Sequence, residues 1–381
     1  MSRAGGFDLG RAVERLRHLV GIESPSGHAC GLGGCYELLT EWSRDLLGPP
    51  QCVVEGGVPH LYWEEAPAAR GVPGVLLLGH ADTVWPLGTL EGWPFTTEGE
   101  RVSGPGVFDM KSGLVLALEA LALAGDTRHV RMLVTGDEEC GSLTSRGLVE
   151  EAARGCAAVL VLEPSMDGAV KTARKGGAIY RLDIRGHAAH AGLEPEKGVN
   201  ALVELAHQVL AITALADADL GTSVTPTVGR AGTTTNTVPA DAHINVDVRA
   251  WHRDELERVD ANLRVLTSRV PGAAVELSGG INRLPLERSM SAGLLAVARQ
   301  LAEAGGLGEV GEAAVGGASD GNFTAALGIP TLDGLGPRGA GAHARHEWAD
   351  TGSFEERALL VAGLVRSLGP QGANGTDEQA R

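Results

Sequence analysis

Three short stretches of the chain are almost continuously apolar: residues 75–78 (VLLL), 130–134 (VRMLV) and 157–162 (AAVLVL). Such runs suit strands covered on both faces, as in a mostly parallel sheet. Helical patterns lie between them, notably over Ser112–Ala124 and 145–153, so strand and helix alternate as in an α/β layer. From Gly177 the pattern changes. Ala178, Tyr180, Leu182 and Ile184 fall on one face of a strand with Arg181, Asp183 and Arg185 on the other, and Ile244, Val246 and Val248 alternate with Asn245, Asp247 and Arg249. Period-two alternation marks strands with one wet face, typical of an antiparallel sheet. The predicted order is strand 177–185, helix 197–213, strands 222–229 and 243–250, helix 253–268 and strand 273–278, a βαββαβ order that fits the ferredoxin-like split unit. After about residue 282 the α/β pattern returns with a helix over 294–304, a strand over 329–332 and a helix over 353–368. The fold expected is therefore α/β: a mostly parallel-sheet domain from 1–175 and 283–381, with a smaller ferredoxin-like domain, 176–282, inserted into it.

A length of 381 residues fits two or three domains, and a core of that size needs neither disulfide nor metal merely to fold. Acidic residues outnumber basic ones 48 to 32, a net charge of −16. That excess argues against nucleic acid and against an anionic membrane surface as partners. The five cysteines are odd in number and scattered, unlike a secreted disulfide framework. The first 23 residues read as an amphipathic helix rather than a signal peptide, and no apolar run approaches the ~20 residues of a membrane span. A cytoplasmic location is expected. The polar tail 369–381 (GPQGANGTDEQAR) is expected to fray.

Unusual side chains follow each apolar run. The first leads into His80 and Asp82, the second into Asp137, Glu138 and Glu139, and the third into Glu163. Ligands of open parallel sheets bind at the carboxyl ends of the strands, so these groups should share one rim. A glycine-rich loop adds Asp109 just before a helix. Singly, Asp109 could be a helix cap, Asp82 a turn former and the glutamate pair a solvated loop. Together, so many carboxylates at one rim are costly unless a cation neutralises them. Histidine and carboxylate donors without cysteine suit zinc, cobalt or manganese. Four or more candidate ligands exceed what one catalytic zinc uses, so a two-metal site follows more naturally. Asp82, two residues after His80, is placed to accept the second imidazole N–H.

Seven blocks resemble one family in its own order: HADTV (80–84), GPGVFDMKSG (104–113), TGDEECGS (135–142), LEP (162–164), RGHAAHAGLEPEKGVNA (185–201), TTTNTVPADAHINVDVRA (233–250) and GAHARHEW (341–348). They look like the signatures of the dinuclear-metal amidohydrolases: glutamate carboxypeptidases, acetylornithine deacetylase, succinyl-diaminopimelate desuccinylase and aminoacylase. HADTV followed by Trp85-Pro86 is most similar to the glutamate carboxypeptidase group. The resemblance implies that His80 and Glu163 bind one ion, Glu139 and His343 the other, with Asp109 between them; which ion each ligand takes is left open. It makes Glu138 the general base and Asp82 a catalytic partner of His80. His343 is preferred to His346 because the family histidine is followed four residues later by a glutamate, here Glu347. The inserted domain becomes a lid and dimerisation domain whose His190 donates to the oxyanion, in relatives from the partner subunit. Asn236 would hold substrate, and Arg283, or alternatively Arg249, its carboxylate.

The expected cofactors are two divalent ions, zinc first, with cobalt or manganese as alternatives. The expected substrate is a short peptide or small molecule with a free carboxylate, cleaved at the neighbouring amide to release C-terminal glutamate or a similar amino acid. N-acyl-amino-acid deacylation is the alternative. A homodimer through the lid is expected. No nucleophile elbow is read along the chain, and the glycines at 31, 33 and 34 open no dinucleotide fold, so serine, cysteine and nucleotide chemistry are not expected.

Overall fold

The computed structural model describes residues 6–66 and 73–369; residues 370–381 of the polar tail lie outside the described residues. The chain divides into two compact units, one drawn from 1–173, 288–314 and 319–381, the other from 174–287 and 315–318.

The first unit is built on a six-stranded sheet in the order Gln51–Glu55, Val58–Trp63, Val130–Thr135, Gly74–His80, Cys156–Val161 and Thr331–Leu332. The first two strands run antiparallel to their neighbours and the remaining links are parallel. Every residue of Gly74–His80 is buried, which is why that strand shows no alternation. Helix Ser112–Ala124 is buried almost all round, as expected of a helix that is apolar on every face. Its one carboxylate, Glu119, meets Arg15 at 3.0 Å and Arg11 Nε at 3.1 Å, both from helix Leu9–Val20. Gly113 is required by close approach: a Cβ there would lie 2.0 Å from the Leu162 carbonyl oxygen. The helix is thereby seated directly against the strand end that leads into Glu163.

A second, smaller sheet was not foreseen. Its strands are Arg338–Ala340, Trp348–Asp350, Arg101–Ser103 and Thr96–Glu98, in that order. Three-residue strands carry too few positions to show a period. This sheet brings the hairpin containing His343 beside the strand that leads into the Asp109 loop, pairing Trp348 with Ser103 and Ala349 with Val102.

The second unit has a four-stranded antiparallel sheet, ordered Ser223–Ala231, Asp241–Ala250, Gly176–Arg185 and Ala274–Arg283. With helices Ala201–Thr213 and Arg253–Arg264, the element order along the chain is β-α-β-β-α-β. Tyr180, Leu182, Ile244 and Val246 share its core with Leu205, Leu256 and Val259. Three boundaries expected in this unit move by four or five residues. The first helix begins at Ala201 rather than 197, because the Asn200 side chain accepts the N–H groups of Leu202 and Val203 and caps it there. The second ends at Arg264 rather than 268. The last strand runs to Arg283 rather than 278: the Gly279-Gly280 pair continues the ladder, with Gly279 at φ 92° against the Ile179 carbonyl. Among the described residues, no helix is long and apolar enough to cross a membrane.

Candidate active site

Three parallel strands deliver their ends to one rim. Gly74–His80 closes on His80, which lies level with Thr135 of the neighbouring strand. Val130–Thr135 leads into a single 3-10 turn, Glu138–Cys140. Cys156–Val161 is followed at once by Glu163, the Leu162 amide bonding to the Leu78 carbonyl. Asp109 arrives from the loop before helix Ser112–Ala124, with a cis peptide to Met110. His343 sits between the two strands of the small-sheet hairpin, in a left-handed backbone at φ 62°. That conformation is uncommon for a residue with a side chain and is found at functional sites.

These residues converge. His80 Nε2 lies 3.4 Å from Asp109 Oδ1 and 3.5 Å from Glu163 Oε1. His343 Nε2 lies 3.5 Å from the other Asp109 oxygen, Oδ2, and 2.9 Å from Glu139 Oε2. Each oxygen of one carboxylate therefore faces a different histidine. His80, Asp109 and Glu139 offer ligand atoms all within 4.8 Å of one another, and so do His80, Glu138 and Glu163. His346, the other histidine of that block, is exposed.

The electrostatics call for positive charge. Burial works to keep His80 neutral, yet Asp109, Asp82 and Glu163 outweigh it and raise its pKa well above the ordinary value. Asp109 and Glu139 push His343 up to about 10. Burial works to raise Asp109, but His343 and His80 hold it below the usual carboxylate range. Glu139 goes the other way, raised by burial. His80 Nε2, Asp109 Oδ1 and Glu139 Oε1 are buried and have no hydrogen-bond partner, a costly state for polar atoms in a protein interior. Cations placed among these atoms would satisfy all three and supply the missing charge. The donor set, imidazole and carboxylate, fits divalent metal.

The surrounding contacts are specific. His80 Nδ1 faces the Asp82 backbone carbonyl at 3.0 Å and its carboxylate at 3.3 Å, which places the proton on Nδ1 and leaves Nε2 as an electron-pair donor. The Asp82 carboxylate also accepts the Glu138 and Glu139 amides, at 3.2 and 3.1 Å, and the Ser26 hydroxyl at 2.6 Å. Sequence reasoning missed several supports. Buried Lys111 donates to the Leu19 and Ile22 carbonyls, pinning the Asp109 loop to the end of the first helix. His60 Nδ1 accepts the Gly136 amide while Nε2 meets Thr144, whose hydroxyl donates to Asp137. Lys171 stands 3.9 Å from Glu163. The carboxylate of Glu347, used above only as a landmark, accepts backbone amides of the Asp109 loop.

In the second unit, His190 is exposed and pairs with Thr237, and the Ala191 amide bonds to the Asn236 carbonyl, so His190 and Asn236 are brought together. His190 Nδ1 accepts the Gly192 and Leu193 amides, both at 3.1 Å, which assigns the ring proton to Nε2. Arg283 is buried at the end of its strand, opposite Gly177. Arg249 gives two hydrogen bonds to Asp247 on its own strand. One expectation needs correction: Gly317-Ala318-Ser319-Asp320-Gly321 does match the G-x-S-x-G string. Ser319 is nonetheless fully buried and gives its proton to Asp333 at 2.6 Å, unlike the exposed nucleophile of an elbow.

Comparison with known proteins agrees with this geometry. The model of peptidase family M20/M25/M40 matches residues 76–367. Carboxypeptidase G2 of Pseudomonas sp. (strain RS-16) is 34% identical over 371 residues, covering 94% of this chain and 89% of that protein. Among solved structures, aminopeptidase PepT from Bacillus cereus superposes with a TM-score of 0.75 at 22% identity, covering 96% of this chain and 100% of that one. An M20 family metallo-carboxypeptidase from Sulfolobus solfataricus gives 0.73 at 17% identity, covering 95% and 99%. The structural likenesses establish the fold, and the family match and the sequence relative establish membership. This chain belongs to peptidase family M20/M25/M40 and is a metallopeptidase of that family.

Proposed function

We propose that the enzyme hydrolyses the amide bond next to a free amino-acid carboxylate, releasing C-terminal glutamate or a similar amino acid, as the name of its carboxypeptidase G2 relative suggests. The observation that carries the reading is Asp109, whose two oxygens each face a different histidine, the arrangement of a bridging ligand. His80 and Glu163 would hold one ion and Glu139 and His343 the other, with zinc first among the candidates. Such ions, when bound, lower the pKa of water and polarise a carbonyl. Glu138 then takes the proton of the attacking water and returns it to the leaving nitrogen. Asp82 fixes the His80 tautomer and holds the Glu138 and Glu139 amides on one carboxylate. Arg283, or alternatively Arg249, would receive the substrate carboxylate, guanidinium forks matching carboxylates.

Substrate choice is tested with glutamate-terminated dipeptides and N-acyl glutamates against N-acetylornithine and N-succinyl-diaminopimelate, with added zinc, cobalt or manganese and with a chelator. Roughly tenfold higher kcat/KM on the glutamate amides is expected, a margin that pocket contacts readily supply. The reverse ranking would select the deacylase reading instead.

The second unit acts as the lid and dimerisation domain in this reading. Strand Ser223–Ala231 is a free sheet edge with Val228 exposed, and helix Ala201–Thr213 exposes Leu202, Val203 and Leu210. A two-fold pairing would cover both. His190, with its proton on Nε2, would reach the partner's site as the oxyanion donor. Mixing Glu138→Ala and His190→Ala subunits should then restore partial activity. Absence of recovery despite proven subunit exchange would place His190 in its own subunit's site. All five cysteines are free, which supports a reducing, cytoplasmic setting.

A further inference from the structure

We propose that Glu347 is a positioning residue that locks Asp109 and His343 to one another and so sets the affinity of the metal position they share. The inference rests on the dinuclear reading above. Glu347 is fully buried. Its Oε1 accepts the amides of Phe108 and Asp109, at 2.8 and 3.0 Å, and its Oε2 accepts the Gly106 amide at 3.1 Å and the Trp85 indole N–H at 3.2 Å. Four N–H donors converge on its two oxygens, and the three backbone amides among them work against the burial that pushes its pKa up to about 7.

The backbone of the same residue holds His343. The Glu347 amide donates to the Ala344 carbonyl and the Ala344 amide to the Gly341 carbonyl, two chained turns of which the first along the chain encloses His343. The Glu347 carbonyl accepts the Ser103 hydroxyl at 2.6 Å, tying the hairpin to the strand that feeds the Asp109 loop. The His343 side chain is 53% exposed and depends on this turn for its placement. Glu347 thus ties three segments through one side chain: the loop after His80, the Asp109 loop and the His343 turn, the last two of which also meet in the small-sheet ladder. It touches the amide of Asp109 and not its carboxylate, so it acts through the ligands.

Glutamine is the informative replacement. It has the same size but one acceptor oxygen, and its amide N–H groups would face N–H donors already there. The test is Co2+ titration of the metal-free full-length protein, followed by visible absorption and calorimetry, with hydrogen exchange at the Phe108 and Asp109 amides. In Glu347→Gln, the ion shared by Asp109, Glu139 and His343 should bind about 10–100-fold more weakly. The ion at His80 and Glu163 should lose less, because only Asp109 is common to both, and the two amides should exchange faster. Trp85→Phe, which deletes one of the four donors, should show the same selective loss on a smaller scale and serves if the glutamine variant does not fold. Equal weakening of both ions, or unchanged affinity and exchange, would overturn the proposal. A wild-type protein that takes up fewer than two Co2+ would instead defeat the dinuclear reading on which it stands.

Discussion

Glu138→Gln is expected to lower kcat by about a thousandfold while both metal ions stay bound, the loss typical of removing a positioned general base. Asp82 grips the amides of Glu138 and Glu139 on its two carboxylate oxygens, fixing the backbone of both residues. Glu139 reaches His343 at 2.9 Å, while Glu138 stands within 4.8 Å of the ligand atoms of His80 and Glu163. Glutamine preserves volume and hydrogen bonding but cannot take a proton from water. Metal content measured by elemental analysis beside kcat decides the role. A fall to one ion per subunit would make Glu138 a ligand, and a change confined to KM would remove it from the chemistry.

Asp109→Ala should act at an earlier stage, by emptying the site. Its carboxylate is the group common to both histidines, so its loss strips a ligand from each ion at once. Turnover should fall by about 10⁴-fold or more, because both the activated water and the charge stabilisation go with the ions. Metal-free stability should fall by no more than the pairing of Asp109 with His80 and His343 contributes. Asp109 Oδ1 has no hydrogen-bond partner, and the loop backbone is held through Glu347 rather than through the Asp109 side chain. Calorimetric unfolding in chelator, compared between variant and wild type, checks this. A large drop in the metal-free Tm would show that the carboxylate holds the loop itself.

The parts of the site on the parallel strands were readable because burial on both faces leaves an unmistakable apolar run, and His80, Glu138, Glu139 and Glu163 interrupt those runs at their ends. The wet-faced sheet was equally plain from the alternation around Tyr180 and Val246. What escaped reading is held by backbone. Glu347 works through the amides of Gly106, Phe108 and Asp109, about 240 positions away in sequence, and a backbone donor leaves no mark in side-chain identity. The small sheet escaped because its three-residue strands are too short to show a period. The hairpin Gln51–Glu55 to Val58–Trp63 was within reach, since Gly56-Gly57 between two apolar-rich runs is a turn signal. Ser319 teaches the converse: a motif string can be complete while its side chain is buried and committed to Asp333.

The small sheet draws Arg101–Ser103 and Trp348–Asp350 into one ladder, and this orders events during synthesis. Domains form as their segments leave the ribosome, amino end first. Thr331–Leu332 closes the six-stranded sheet and the hairpin around His343 closes the small one. The first unit therefore completes neither sheet until residues beyond 330 have emerged, and a chain stalled before them lacks the turn that carries His343.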